Sequence, residues 1–218
     1  MPSRVIKATY SSLTGTFPSR KMNRPISWES SLERDLYYLL ENDPAVTSYE
    51  EQPIEIIQGG RKYTPDCMAV LEGESFIFPY LKPGNNLIEV KYREDLYFNW
   101  KKHKPRLKLG LKESRENGWF FKIITDYEIR GQFLENIKKI DHQLRRVSQF
   151  ENEFREALID AMKQVKICTL DQLLALCFRN QESKLRAMPV IWRMLGDQTL
   201  GIDMYQKITP HSEVWLME

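Results

Sequence analysis

The chain has 218 residues, of which 42% are hydrophobic and 28% charged, and its formal net charge is +2 at pH 7. This composition supports a packed core, which excludes a globally disordered chain, and the length suits one large domain or two small ones. The sequence shows no membrane-length apolar run, no signal peptide and no clustered cysteines or histidines, so we expect a soluble cytoplasmic protein with no membrane partner, no disulfide framework and no zinc centre.

The first predicted helix carries a candidate site residue. Residues 1–26 are polar and basic and are predicted to form an arm, after which Ser27 is the expected N-cap of a helix that ends near Asn42. Glu29 falls within the apolar stripe of this helix, about 20° from Leu36 at 100° per residue. A carboxylate there is costly unless it is paired or bound to a metal. The alternative is a first-turn glutamate that faces water.

Two predicted strands then carry a pattern of carboxylates and a lysine. Asp66 follows Pro65 at the head of an apolar run, and Glu89 and Lys91 share one face of a second run. If the strands pair antiparallel, Asp66 and Glu89 converge on one divalent cation, and Val90 is included in the predicted metal site. Because these ligands are oxygens, we expect the cation to be magnesium, for which manganese can substitute. This is the PD…(D/E)xK pattern of metal-dependent DNA-cutting enzymes, although a turn and a solvated edge strand give the same letters.

The helical region after these strands has a basic segment. Residues 101–112 contain no acidic residue, and such segregated charge suits a surface that faces phosphates. The alternative is a solvated helix face. The residues predicted to contact DNA here are Lys101, Lys102, Lys104, Arg106 and Lys108.

The order of predicted elements indicates the fold class. A helix, three strands, helical stretches over 95–103 and 105–117 and a buried strand over 119–125 give the order α-β-β-β-α-β. This order is the core of the α/β restriction-endonuclease-like fold. We therefore predict a catalytic domain of this class over residues 1–131.

The pattern changes to amphipathic helices over residues 132–218, which we predict to be a second domain. Four helices and two short strands, over 200–204 and 214–217, suggest a winged-helix-like arrangement. Arg186 and Arg193 lie seven residues apart on the fourth helix and share a face that could meet DNA phosphates. A small protein-docking module remains equally open.

Five sequence blocks resemble the TnsA family, the endonucleases encoded by Tn-seven-like transposons. The blocks follow one another in the family's order over about residues 11–92, and they read GTFPSRKM (15–22), WESSLERD (28–35), EQP (51–53), TPD (64–66) and EVK (89–91). The resemblance implies that Glu29, Asp66, Glu89 and Lys91 are catalytic and that magnesium is the cofactor.

The resemblance also implies the substrate and the partners. Family members cut double-stranded DNA at the 5′ ends of a transposon, while a TnsB-like DDE transposase cuts and joins the 3′ ends. A TnsC-like AAA+ ATPase couples both proteins to a target, and the C-terminal region is implicated in contacting it. The implied location is the bacterial cytoplasm, at the nucleoid while the protein is active.

Two other functions stay open at this point. One is a stand-alone restriction or repair endonuclease of the same fold, directed by its own DNA contacts. The other is a non-catalytic DNA-binding assembly factor that kept the fold. The presence of Glu29, Asp66, Glu89 and Lys91 argues against the second.

Overall fold

The computed structural model describes residues 14–144 and 151–217, and the chain divides between Arg130 and Gly131 into two compact units. We describe each unit by itself. No helix in the described part of the chain is both long and apolar enough to cross a membrane.

The N-terminal unit is a mixed α/β domain. In chain order its elements are β1 (Gly15–Ser19), β2 (Arg24–Trp28), α1 (Ser31–Asn42), β3 (Val46–Glu51), β4 (Ile56–Gln58), β5 (Arg61–Tyr63), β6 (Cys67–Leu71), β7 (Gly84–Lys91), α2 (Arg93–Glu116), β8 (Phe120–Thr125) and α3 (Asp126–Ile129).

A four-stranded sheet with the order β3-β6-β7-β8 forms the centre of this unit. Strand β6 pairs antiparallel with β3 and β7, whereas β7 pairs parallel with β8. Helix α2 connects the two parallel strands, as a crossover between parallel strands requires. Five consecutive residues of β7, from Asn86 to Val90, are buried, so this strand carries its side chains into the interior.

The start of the first helix differs from the sequence prediction. Ser27 is not an N-cap but lies in β2, where it pairs with Thr16 of β1, so the part of the predicted arm that is described forms a hairpin. The N-cap is Ser30, whose side chain accepts a hydrogen bond from the backbone N–H of Glu33 at 3.2 Å. Glu29 therefore precedes the helix and does not lie on its apolar stripe. Residues 1–13 of the predicted arm lie outside the described residues.

Helix α2 replaces the two helical stretches predicted over 95–103 and 105–117. It runs from Arg93 to Glu116 with non-helical backbone angles at Asn99. Gly110 lies where α2 packs most closely on the domain, since a Cβ there would come within 2.8 Å of Tyr63 and 2.7 Å of Phe121. The absence of a side chain at Gly110 allows this close approach.

The described part of the C-terminal unit contains four helices and a small three-stranded antiparallel sheet, in which the last strand of the chain lies in the middle. The first strand of this sheet, Ile167–Thr169, was not predicted, because three residues are too few to show an alternating pattern. Thr169 and Gln172 form a capping box at the start of the third of these helices. Within the region over 132–218 that is predicted to be helical, residues 145–150 lie outside the described residues. The elements are α4 (Gln132–Leu144), α5 (Glu151–Val165), β9 (Ile167–Thr169), α6 (Leu170–Cys177), α7 (Gln181–Gly196), β10 (Leu200–Ile202) and β11 (Glu213–Leu216).

Candidate active site

Asp66 and Glu89 are brought together by the pairing of β6 with β7. The predicted antiparallel pairing is confirmed, with Cys67 opposite Ile88. One step further along the same register, Asp66 lies opposite Glu89. The backbone N–H of Val90 donates a hydrogen bond of 2.7 Å to Oδ2 of Asp66. The carboxylate at the head of β6 is thus held against the carboxyl end of β7.

The ammonium group of Lys91 lies among three oxygens of this site. Its Nζ is 2.7 Å from Oε1 of Glu89, 2.9 Å from the carbonyl oxygen of Val90 and 3.6 Å from Oδ2 of Asp66. Burial disfavours the charge of Lys91, but Asp66 and Glu89 outweigh this effect and raise the pKa of the lysine. Lys91 is therefore a cation that the surrounding oxygens keep protonated.

Tyr63 holds the other side of the Glu89 carboxylate. Its hydroxyl donates a hydrogen bond of 2.7 Å to Oε2 of Glu89, and both residues are buried. The ring of Tyr63 packs in a small apolar cluster with Ile56 and Leu109. Burial, and then the charge of Glu89, raises the pKa of Tyr63, which keeps its hydroxyl a donor. Glu89 is fixed between Tyr63 and Lys91.

The pKa values of Asp66 and Glu33 are both raised above those of ordinary carboxyl groups. Burial, and then the charge of Glu89, raises the pKa of Asp66 to about 7 despite the lowering effect of Lys91. Burial, and then the charge of Asp66, raises the pKa of Glu33 to about 7. The charge of Glu33 also contributes to the raised pKa of Lys91. Glu33 therefore belongs to the same electrostatic cluster as Asp66, although sequence analysis did not select it.

Glu29 occupies a different place from the one predicted. Its backbone N–H donates a hydrogen bond of 2.9 Å to Oε2 of Glu33, and the hydroxyl of Ser30 donates one of 2.8 Å to Oε1 of Glu33. The charge of Asp66 raises the pKa of Glu33, and the charge of Glu29 adds a smaller effect in the same direction, so both acidic residues near the start of α1 lie close to the cluster. The role of Glu29 as a catalytic residue and metal ligand stays a prediction.

The chemistry of the oxygen cluster fits a hard divalent cation. The carboxylates of Asp66 and Glu89 and the carbonyl of Val90 already face one cationic group, the ammonium of Lys91. Magnesium takes oxygen ligands and is commonly bound through one or two carboxylates with water in its remaining positions. Within residues 14–144 and 151–217, no group of three or more His, Cys, Asp or Glu side chains is arranged to hold a metal. The donor set on offer is two carboxylates and one carbonyl.

The five predicted DNA-contacting residues of α2 do not form one surface. All five are exposed. Lys104 and Lys108 line a groove beside the β4–β5 hairpin. At 100° per residue, Lys102 and Arg106 point more than 100° away from these two, whereas Lys101 lies on their side of the helix but does not line the groove.

The two predicted arginines of the C-terminal unit also have different environments. Arg186 is exposed and forms an ion pair of 2.6 Å with Glu182 one helical turn earlier. Arg193 is half-buried in the last turn of α7. Their DNA contacts stay a prediction.

Sequence signals for the two missed residues, Glu33 and Tyr63, differ in strength. Ser30 and Glu33 show the spacing of a capping box, a signal that the choice of Ser27 as N-cap obscured. Tyr63 has no motif of its own. It reaches Glu89 only because β5 is part of a hairpin that packs against α2.

Comparison with known families agrees with this geometry. The N-terminal unit is a mixed α/β domain with an Asp–Glu–Lys cluster on adjacent antiparallel strands, the arrangement expected for the PD…(D/E)xK pattern. Residues 43–126 match the family model described as TnsA-like endonuclease N terminal. The predicted resemblance to the TnsA type is thereby confirmed for this segment, and the match supports a nuclease of the transposase type.

The match has definite limits along the chain. It includes Asp66, Glu89 and Lys91 together with the whole of α2, and it excludes Glu29, Glu33 and the C-terminal unit. A search of curated proteins finds no match.

Proposed function

We propose that this chain is the metal-dependent endonuclease subunit of a TnsA-like transposase, and that it hydrolyses phosphodiester bonds at the 5′ ends of a transposon. The observation that carries the proposal is the cluster of Asp66, Glu89 and Lys91 on β6 and β7, inside the segment that matches the endonuclease family.

The ligands of the cation follow from the oxygen cluster. Asp66, Glu89 and the Val90 carbonyl would hold a magnesium or manganese ion. Such an ion, when bound, lowers the pKa of water and polarises a phosphate. The predicted role of Glu29 at this site is to complete the ligand set or orient water, and Glu33 competes with it for that role because of its coupling to Asp66.

The protein groups each have a task in hydrolysis. The hydrogen bonds from Val90 and Tyr63 fix one oxygen of Asp66 and one of Glu89, which keeps both carboxylates oriented before DNA arrives. Lys91 stays protonated, and its side chain is more exposed than the two carboxylates, so its positive charge would stabilise the negative charge that develops on a phosphate during cleavage. Preorganisation of this kind avoids rearrangement at the moment of reaction.

The C-terminal unit is proposed to be a winged-helix-like binding module. Its four helices and three-stranded sheet support a compact module of this kind. By the resemblance stated above, we propose a TnsC-like AAA+ ATPase as its partner, with DNA as the alternative.

Cleavage of labelled transposon-end duplex tests the catalytic proposal directly. The protein is incubated with magnesium, with and without the neighbouring transposase, and compared with Asp66→Ala and Lys91→Ala. We expect cutting at the 5′ ends by the wild-type chain and none by either variant. Calcium should support DNA binding but not cleavage, because it does not impose the octahedral geometry of magnesium. Near-normal cutting by Asp66→Ala would overturn the assignment.

Products of transposition in cells test the division of labour between two enzymes. If this chain cuts only the 5′ strands, Asp66→Ala leaves them attached to the donor while the partner still joins the 3′ ends. Replication of that junction yields donor–target cointegrates, which long-read sequencing detects. Simple insertions at normal frequency would contradict the transposon role, and loss of all joining would indicate an assembly role instead.

A further inference from the structure

A groove lined by cations lies between the β4–β5 hairpin and the second half of α2. It has a volume of about 600 Å³. Its polar lining residues come from both walls and are Gln58, Arg61, Lys104, Lys108, Lys112 and Arg115. Arg61 and Gln58 face each other across the hairpin turn, so the turn places one cation opposite the helix.

The cations of the helix wall form a row. Lys104, Lys108 and Lys112 follow one another at intervals of four residues, about 6 Å along a helix, and Arg115 lies near the same face. The row extends over about 16 Å from Lys104 to Arg115. Because one DNA strand rises about 3.4 Å per nucleotide, this length spans roughly five nucleotides.

The charges of the groove are mostly uncompensated by the protein. Lys112 forms an ion pair of 3.7 Å with Glu116, and both side chains are exposed. For Arg61, Lys104, Lys108 and Arg115, the described part of the chain supplies no carboxylate within ion-pair distance. Four like charges on facing walls repel one another, and this arrangement favours a polyanion in the groove.

The groove and the catalytic cluster share a structural connection. Tyr63, which donates to Glu89, also packs with Leu109, a residue that lines the groove. Helix α2 begins directly after β7 and is kinked at Asn99, so Lys104 lies at most about 16 Å along the helix axis from Arg93. This distance is no more than about half of a turn of B-form DNA, which is roughly 34–36 Å long.

We propose that this groove holds the phosphate backbone of the duplex that flanks the cleavage point. The proposal rests on the proposed function, since it takes the substrate to be duplex DNA. If one phosphate of the duplex lies at the Asp66–Glu89 cluster, the length of α2 allows a stretch further along the same duplex to lie in the groove. The row of cations at regular intervals fits an extended polyanion better than a single phosphate.

Paired charge removal on α2 tests the proposal with a matched control. The groove variant is Lys104→Gln with Lys108→Gln, and the control is Lys102→Gln with Arg106→Gln. Both variants remove two exposed cations from the same helix, but only the first pair lines the groove. The full-length chain and a mixed-sequence duplex are used with calcium in place of magnesium, and affinity is measured by fluorescence anisotropy as a function of salt concentration.

The groove variant should lose more of the salt dependence than the control. Each phosphate contact contributes about 0.9 to the slope of log affinity against log salt, so two lost contacts reduce the slope by about 1.8. The control slope should stay near that of the wild-type chain. The proposal would be overturned if the slope fell equally in both variants or fell in neither. It would also be overturned if the wild-type chain showed no salt-dependent binding.

A second measurement separates this proposal from the catalytic one. The same salt titration in EDTA, with no divalent cation present, should keep the difference in slope between the groove variant and the control whether or not the chain proves to be a nuclease. Lengthening the duplex on one side of the cut should raise its affinity for the wild-type chain and for the control. The gain in affinity should be smaller for a further groove variant, Arg61→Gln with Arg115→Gln. If the groove variant binds the duplex as the wild-type chain does but no longer binds the partner ATPase, the groove is a protein-binding surface and the proposal is overturned. Thermal melting verifies that each variant folds.

Discussion

The hydroxyl of Tyr63 donates a 2.7 Å hydrogen bond to Glu89 on the side of the carboxylate opposite Lys91. Two buried or partly buried donors therefore hold the two oxygens of one carboxylate in place. One is a neutral phenol whose raised pKa prevents it from ionising, and the other is a cation. Glu89 thus depends for its orientation on a hairpin that is remote from its own strand in sequence.

Tyr63→Phe should slow cleavage by about tenfold without preventing folding. The change removes one hydrogen bond to a charged group, which is worth about 1.5 kcal/mol or more, and leaves the ring in its apolar cluster. Tyr80→Phe is the matched control, because the buried hydroxyl of Tyr80 has no hydrogen-bond partner among the described residues. Single-turnover cleavage is the measurement, and equal rates for the two variants would show that Tyr63 does not position Glu89.

Gly110→Ala should reduce both stability and cleavage. An added methyl group at Gly110 would approach Tyr63 within 2.8 Å and Phe121 within 2.7 Å, so α2 or these rings must move. Overpacking of this kind costs about 1–3 kcal/mol. Displacement of Tyr63 should further lower the cleavage rate of the folded fraction.

Gly73→Ala is the control for that change, since the nearest side-chain atom to an added Cβ there is 4.0 Å away. Chemical denaturation gives the free energy of unfolding of both variants. Wild-type stability in Gly110→Ala would show that the packing of α2 on Tyr63 is looser than the structure indicates.

The sequence predicts the central sheet well because its signals are local. The apolar runs around Asp66 and Glu89 have the length and composition of strands. Antiparallel pairing was the condition on which the sequence predicted that the two carboxylates converge, and the structure shows that pairing. Helix starts are harder to place, because several serines near the true N-cap have the same chemistry. Ser27 was excluded in the structure by its pairing with Thr16, a contact that depends on the hairpin and not on local preference.

The groove on α2 shows a second limit of sequence analysis. An acid-free run marks a basic segment but does not show which of its residues face one another in space. Lys104 and Lys108 share a wall of the groove, whereas Lys102 lies elsewhere on the helix. Arg61, which lies opposite that wall, comes from a hairpin far away in the sequence, so no local pattern could have linked it to the segment.

Glu33→Gln and Glu29→Gln together decide which acidic residue near α1 serves the site. The sequence pattern favours Glu29, whereas in the structure the charge of Glu33 interacts with those of Asp66 and Lys91. We expect Glu33→Gln to lower the cleavage rate roughly 100-fold or more, the range for a group that acts at the reacting centre. Glu29→Gln should have the smaller effect. The reverse order would support the sequence prediction and reduce Glu33 to a capping residue.

Both variants keep the contacts that start the helix. In Glu33→Gln the amide oxygen can still accept from the N–H of Glu29, and the NH2 group can donate to the Ser30 hydroxyl in place of the hydrogen bond that the carboxylate accepted from it. The hydroxyl of Ser30 still accepts from the backbone N–H of residue 33. Circular dichroism and thermal melting therefore separate loss of catalysis from loss of the helix. A matched titration with manganese adds a second readout. A ligand lost from the site should raise the manganese concentration needed for cleavage, whereas loss of a capping contact should not.

The stability of the protein without metal should fall as pH rises from about 4 to about 7. Asp66 and Glu33 have pKa values raised to about 7 in the folded chain, above the values near 4 of unfolded carboxyl groups. A raised pKa means that the folded state holds its protons more tightly, so this contribution to stability is complete below pH 4. It is lost as pH rises through 7.

Asp66→Asn removes the ionisable group and should therefore raise the melting temperature at pH 8 but not at pH 4. A difference of one pKa unit corresponds to about 1.4 kcal/mol, and each kcal/mol shifts the melting temperature of a domain of this size by roughly 2–4 °C. Glu72→Gln, at an exposed carboxylate of the same unit, is the control and should melt like the wild-type chain at both pH values. Differential scanning calorimetry in EDTA gives the comparison. A variant that is less stable than the wild-type chain at pH 8 would show that the contacts of Asp66 with Lys91 and Val90 outweigh its repulsion from Glu89 and Glu33. In that case the site would stabilise the fold in its charged form, and the carboxylates would bind a cation without first releasing a proton.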